Sequence, residues 1–333
     1  MSMNESEIIA RFFLRLGTQR TDVVLGIGDD AAVLAMPPGT QLIATTDTLV
    51  EGTHFLPGSA PRSLGHRALA VNLSDCAAMA ATPSWALLSL VLPAADEFWL
   101  AEFSAGFSAL AQAHNVALVG GNLTRGPLSI TVQLMGLVAS GHALRRSSGR
   151  AGDCLCLTGS VGDAAAGLAV RQGKLVAADS VAGAALCRRF EFPEPRVQLG
   201  CALGAITSAC IDISDGVQMD IARLAASSHC GAELNVDQLP VSAALRQAAG
   251  ADAWRYALQG GEDYELAIAV PPTRLKALQE MARQCLTPLT VVGQLRAAAG
   301  LACIRQGCEI VATAAGFDHF GGQLPASGAH LPG

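Results

Sequence analysis

Six short clusters carry most of the chemistry this chain can offer: GIGDDAAVL, TTDTLVEGTHF, NLSDCAAMA, GGNLTRGP, DISDG and GGEDYEL. Each sits beside glycine or at the end of an apolar run, and most bring a carboxylate there. A carboxylate drawn out of water is costly unless it is paired, protonated or bound to metal. Basic partners are scarce, with lysine only at Lys174 and Lys276 and most arginines outside these clusters. Hard oxygen donors without neighbouring Cys or His favour magnesium or manganese over zinc, and cations so held suit a phosphate-bearing ligand.

Asp29 and Asp30 follow Gly26-Ile27-Gly28 at a turn entering the apolar run AAVL. Adjacent side chains point to opposite sides, so one can bind metal while the other caps the turn; a solvated turn explains them equally well. Asp47 ends the apparent strand LIATT, where Thr45 and Thr46 could add neutral oxygens, although strand-end Asp also serves as an ordinary cap. Asp75 is sharper: it lies inside the helical pattern HRALAVNLSDCAAMAA with apolar Val71 and Met79 one turn away on either side. Asn72 is its possible structural partner; metal ligation is favoured. GGNLTRGP reads as a flexible glycine turn after a strand, with Gly121 and Asn122 open to phosphate and Arg125 available for charge. In IDISDG, Asp212 and Ser214 share one face of a strand end and Asp215-Gly216 turns into a helix. Such a junction offers carboxylates for metal beside amides for an anion, or simply an N-cap. Glu262 and Asp263 repeat the logic. His54 taken alone is a core or surface histidine before it is a ligand.

G-x-x-x-x-G-K-[ST] is absent, no G-x-G-x-x-G follows a strand, and no Ser/His/Asp, Cys/His or H-E-x-x-H arrangement suggests covalent catalysis.

The elements that must position these residues alternate. Helices are expected near Ser6–Leu16, Ser63–Ala80 and Glu97–His114, with strands QLIATT, WALLSLVL, VALVG and LSITVQLMGLV between and after them. The polar, basic stretch 140–153 marks a boundary, giving an N-terminal domain over 1–148 and a C-terminal domain over 149–333. CLCLTG, ACIDISD, AELNV, YELAIAV and LTVVGQL read as further strands, with helices over VGDAAAGLAV, VQMDIARLAASS and TRLKALQEMARQC. An α/β chain of 333 residues with 35 glycines and 5% aromatics fits two such domains. Net charge of -6 gives no footprint for nucleic acid or an anionic membrane. No apolar run reaches the length of a membrane span and the N-terminus lacks signal-peptide order, so a cytoplasmic location is expected. The ten cysteines contain no C-x-x-C and read as buried thiols in a reducing compartment.

Taken in order, GIGDDAAVL, TDTLVEGTHF, HRALAVNLSDCAAMAATP, GGNLTRGPLSI, DISDG, GGEDYEL and GFDHFGG resemble the thiamine-monophosphate kinase family nearly end to end. That family is grouped with aminoimidazole-ribonucleotide synthetase, hydrogenase maturation factor E and selenophosphate synthetase. The resemblance implies a two-domain α/β fold whose N-terminal sheet pairs with its twin into an intersubunit barrel in a homodimer. It also implies ATP and thiamine monophosphate as substrates and several magnesium ions. Asp30, Thr45, Thr46, Asp47, Asp75, Asp212 and Asp215 fall on the family's magnesium positions. Gly121, Arg146 and Ser214 fall on nucleotide positions, with Arg145 or Arg150 as substitutes for Arg146. His54, Asp263 and Phe317 match the thiamine phosphate side, Phe317 as a stacking ring. Where the family usually reads Gly-Gly-Asp, this chain has Asn122, an uncharged oxygen ligand beside the nucleotide.

The implied reaction needs no general base, because its nucleophile is a phosphate oxygen already anionic at neutral pH. Selenophosphate synthetase would need an early reactive cysteine, yet the first here is Cys76, and the chain ends in GAHLPG without the cysteine tail of hydrogenase maturation factor E. Aminoimidazole-ribonucleotide synthetase fits TDTLVEGTHF and GFDHF poorly. A non-catalytic nucleotide or magnesium sensor is the reading from another class.

Overall fold

The computed structural model describes residues 3–310. The N-terminal helix α1 (Glu5–Ile8) opens on a capping box between Asn4 and Glu7 and widens into a π turn over Ile9–Phe13. A short antiparallel hairpin, β1 (Val23–Leu25) and β2 (Val33–Leu34), brackets GIGDD. Then come β3 (Thr40–Val50), α2 (Pro61–Ala78), β4 (Thr82–Leu92), α3 (Glu97–Ala113), β5 (Ala117–Arg125) and β6 (Ser129–Ala139). Their strands form one sheet in the order β3-β6-β4-β5. Only β4 and β5 run parallel, and α3 makes the crossover that a parallel pair requires. The hairpin covers part of one face, where Val23 and Leu34 pack near Trp85, Met135 and Leu137.

Helix α2 fills the other face, and its composition follows from how closely its neighbours approach. A Cβ on Gly65 would meet the Phe103 carbonyl at 2.1 Å, and one on Gly106 the Arg62 carbonyl at 1.9 Å, so α2 and α3 cross with backbones in contact. On its opposite side the backbone closes on Gly200, where a Cβ would meet the Ala77 carbonyl at 2.4 Å. The alanine-rich stretch HRALAVNLSDCAAMAA is therefore buried on nearly every side, and Asp75 sits within it.

The second half holds β7 (Cys154–Thr158), α4 (Asp163–Arg171), α5 (Ser180–Glu191), α6 (Val197–Ala202), β8 (Ala209–Asp212), α7 (Val217–Ser227) and β9 (Gly231–Asn235). It continues through α8 (Ala243–Ala249), α9 (Ala253–Gln259), β10 (Leu266–Val270), α10 (Leu275–Gln284), β11 (Leu289–Arg296), β12 (Leu301–Arg305) and β13 (Cys308–Ile310). Seven strands pair as β13-β12-β9-β11-β7-β10-β8, parallel only between β12 and β9. One apolar cluster joins the halves, placing Leu73 and Ala77 of α2 with Leu199, Cys210 and Ile268. That shared core sets Asp75 beside the end of β8, where Asp212 lies.

Several expectations change. Asp47 is not a strand end: β3 continues through TDTLV to Val50, because Thr, Leu and Val keep the chain extended against β6. GGNLTR is not a flexible turn but the second half of β5, in register with Leu87–Leu92 of β4. Helices α5, α6, α8 and α9 were not anticipated. The ten cysteines are all free. No helix among the described residues is long and apolar enough to cross a membrane.

Candidate active site

The pleat of β3 sorts the first site residues. Thr45 and Asp47 face α2, where Thr45 Oγ1 donates to Asp75 Oδ2 at 2.5 Å. Thr46 occupies the opposite pleat, donates to the Val132 carbonyl at 3.2 Å, and lines a wide cleft with Asp29, Asp30, Gly121 and Asn122. The expected magnesium positions are thus divided: Asp30 and Asn122 share the side of Thr46, apart from Asp75 and Asp212.

On the α2 side, Ser74 Oγ donates to Asp212 Oδ2 at 2.8 Å, tying the helix to β8. Asn72, expected beside Asp75, instead donates to the Ala68 carbonyl, leaving Thr45 as the partner of Asp75. Burial pushes the Asp75 carboxyl up, against the Thr45 hydrogen bond and the charge of Arg146. Burial and then repulsion from Asp75 push Asp212 up as well. Asp47 is raised to about 6 by burial and by the charges of Asp75, Glu262 and Asp215. Asp47, Asp75 and Asp212 make no ion pair with any described residue. Three crowded carboxylates without an ion-pair partner among the described residues fit a divalent ion. Among the described residues no three acidic, His or Cys side chains converge on one point. Magnesium matches that arrangement, since it keeps several waters and takes one or two carboxylates together with phosphate oxygens.

Two clefts open on this group. One, of about 430 Å³, is lined by Asp47, His54, Ser214, Asp215, Glu262 and Tyr264. The Val50 amide donates to His54 Nδ1 at 3.0 Å, so the neutral ring carries its proton on Nε2. The other cleft holds Thr45, Asp75, Arg145 and Arg146. Arg146 begins a short 3-10 turn fixed by Ser228, whose Oγ donates to the Arg146 carbonyl at 2.6 Å. Arg145 is the alternative guanidinium there, while Arg150 lies outside it.

The turn after β8 is built by Asp220, a residue that motif reading passed over. Its Oδ2 accepts the backbone N–H groups of Ser214, Asp215 and Gly216 at 3.1, 2.9 and 3.1 Å. The available signal was an acidic residue in the first turn of a helix that starts at glycine. Arg223 donates to Asp220 and to Asp215.

GGEDYEL also differs from expectation. Asp263 is 2% exposed and accepts from the Gly162 and Ala164 amides at 2.6 and 3.2 Å, holding the start of α4. The neighbouring Glu262 takes the cleft instead. Glu262 and Tyr264 both have positive φ, 71° and 53°, which turns the side chains of this segment out of simple alternation. Glu262 Oε2 accepts from Arg67 at 2.5 Å and from the Tyr264 hydroxyl at 3.2 Å. Arg67, buried in α2, also reaches the His54 carbonyl and stacks on Phe190. Phe317 lies outside the described residues.

Comparison with known proteins places this geometry. Residues 28–138 match the model of the AIR synthase related protein N-terminal domain, and residues 150–305 that of the C-terminal domain. The chain is 45% identical over 322 residues to the thiamine-monophosphate kinase of Salmonella typhimurium, covering 96% of this chain and 99% of the relative. The crystal structure of thiamine-monophosphate kinase from Stenotrophomonas maltophilia K279a superposes with a TM-score of 0.82 at 42% identity, covering 91% of this chain and 97% of that one. AaThiL complexed with AMPPCP and TMP superposes with a TM-score of 0.75 at 30% identity, covering 88% and 92%. With its two-domain AIR synthase related fold, this chain belongs to the thiamine-monophosphate kinase family, a family of phosphotransferases.

Proposed function

We propose that the protein transfers the γ-phosphoryl group of ATP to thiamine monophosphate, giving thiamine diphosphate and ADP. The observation that carries this reading is the group Asp47, Asp75 and Asp212, crowded beside two clefts and making no ion pair with a described residue. A relative of the same fold binds AMPPCP, an ATP analogue, together with TMP, which supports the substrate pair.

In the reaction a terminal oxygen of the thiamine monophosphate phosphate attacks the γ-phosphorus. The bond from that phosphorus to the β,γ-bridging oxygen breaks, and ADP leaves with the electron pair. The attacking oxygen is already anionic, so no side chain need remove a proton, in keeping with a site whose described residues offer carboxylates and no nucleophile–base pair. Asp30, Thr45, Thr46, Asp47, Asp75, Asn122, Asp212 and Asp215 would hold magnesium, which when bound supplies positive charge against the repelling phosphates. Gly121, Asn122, Arg146 and Ser214 would hold the nucleotide. His54, which lines the cleft of Asp47, would face the acceptor side, where Asp263 acts through the turn it anchors and Phe317 would stack on a ring. The reading includes domains over 1–148 and 149–333, a cytoplasmic location and a homodimer. Exposed Val24, Val33, Met36 and Leu42 beside the sheet support self-association.

Purified protein incubated with ATP, magnesium and thiamine monophosphate should form thiamine diphosphate and ADP in equal amounts, with none from thiamine or aminoimidazole precursors. Nucleotide binding without product would replace the kinase reading with a sensor.

A further inference from the structure

Asp215 differs from the other carboxylates of the site in already having a cation. Arg223, on α7, sends Nη1 to Asp215 Oδ2 and to Asp220 Oδ1, the latter at 3.0 Å. The two carboxylates it joins are unequal. The Asp220 side chain is 1% exposed, and its second oxygen is occupied by three backbone amides. Asp215 is 27% and Arg223 43% exposed, and Asp215 opens into the cleft with Asp47 and His54. One end of the bridge is therefore fixed and the other exchangeable. Arg223 can release Asp215 while Asp220 keeps it on the helix.

We propose that Asp220 and Arg223 are positioning residues for the site: Asp220 builds the Ser214–Gly216 turn and anchors Arg223, and Arg223 is a resident counter-cation that Asp215 gives up when it takes a divalent ion. This rests on the reading of Asp215 as a magnesium ligand. Asp47, Asp75 and Asp212 form no ion pair with a described residue, so among these expected ligands Asp215 is the one whose metal must displace a bonded guanidinium. A partly exposed ion pair sets the size of that handicap at up to roughly fivefold in affinity. The device makes occupancy at Asp215 depend on what arrives with the ion. A phosphate group entering the cleft adds oxygen ligands and gives the released guanidinium an anion to face.

The test is manganese binding to the full-length, substrate-free protein, followed by electron paramagnetic resonance. Sites lost in D215N define the Asp215-dependent class. R223Q should tighten that class about three- to fivefold, and should leave the remaining sites unchanged when introduced into D215N. An R223Q protein with unchanged or weaker manganese binding overturns the counter-cation role. So does tightening of equal size in the D215N background, which would mark a general charge effect. D220N should weaken the same class and raise KM for ATP while KM for thiamine monophosphate stays put. A D220N protein that loses thermal stability alone, with manganese binding and KM for ATP at wild-type values, overturns the positioning role. If D220N does not fold, the R223Q and D215N arms still decide. Because manganese binding is read without substrates, failure of the kinase reaction would leave the manganese result standing.

Discussion

Ser74 and Asp212 are 138 positions apart and joined by a hydrogen bond of 2.8 Å from the serine hydroxyl to the carboxylate. Ser74 precedes Asp75 on α2, and Asp212 closes β8, so this bond fixes the distance between the two halves of the carboxylate group. Both residues are buried.

Ser74→Ala should cost about 1–3 kcal/mol in chemical denaturation, the usual penalty for leaving a buried acceptor without its donor. It should also raise the magnesium concentration needed for half-maximal activity, since Asp212 loses its orientation. An unchanged magnesium requirement would show that the hydroxyl contributes to folding only.

Asp47 and Asp220 give the metal-free protein an unusual pH dependence. Each titrates near 3.8 when unfolded and is raised to about 6 in the fold, Asp47 by burial and repulsion, Asp220 by burial. Between those values the folded state binds more protons than the unfolded one, so stability falls as pH rises. Urea midpoints of metal-free protein should therefore drop from about pH 4 to about pH 6 through these groups, and saturating magnesium should reduce the Asp47 part of the slope. A midpoint that climbs over the same range with magnesium absent would contradict the crowded-carboxylate picture.

Part of the carboxylate group was legible because an Asp inside an alanine-rich helix needs a reason, and the fold does set Asp75 against Thr45 and near Asp212. A glycine neighbour alone did not discriminate, since Asp263 is a buried cap. Its geometry was less so. Whether LIATT stops at Asp47 or runs on to Val50 depends on the partner strand β6, which local composition does not reveal. The GGNLTR segment carries turn residues yet pairs along β4, a tertiary override of glycine's preference. Glu262 and Asp263 are neighbours of like type, and only the positive φ at Glu262 and Tyr264 decides which reaches the cleft. Asp220 stayed hidden because one acidic residue in a first helical turn is ordinary until its three amide partners are seen.

Gly121 shows the cost of that strand. Its φ of 155° and the Leu88 carbonyl leave no space for a side chain, since a Cβ there would meet that oxygen at 1.9 Å. Gly121→Ala must push β5 from β4 beside Asn122, and should raise KM for ATP at least tenfold while the far domain keeps its stability. A wild-type KM would remove Gly121 from the nucleotide side.

Asp263→Asn tests the buried cap directly. Both oxygens accept backbone N–H groups, and an amide can supply one oxygen while its NH₂ group faces the other donor. The expected loss is about 1–3 kcal/mol of stability, with KM for thiamine monophosphate raised only as far as the Glu262 turn moves. A large KM effect at unchanged stability would instead argue for direct contact with substrate.

The Arg67–Glu262 pair should respond asymmetrically, because its members are unequally buried, with side chains 2% and 28% exposed. Glu262→Gln leaves a guanidinium inside the protein with the His54 carbonyl and the Phe190 ring for company, whereas Arg67→Met leaves a carboxylate that can turn toward water. Breaking such a pair costs most when the charge left behind is the buried one. Glu262→Gln should accordingly destabilise the protein more in the wild-type background than beside Arg67→Met, with a coupling of about 1–3 kcal/mol in a denaturation cycle. Additive effects would mean that the two halves of the molecule are held together here by packing on Phe190, with the ion pair contributing little.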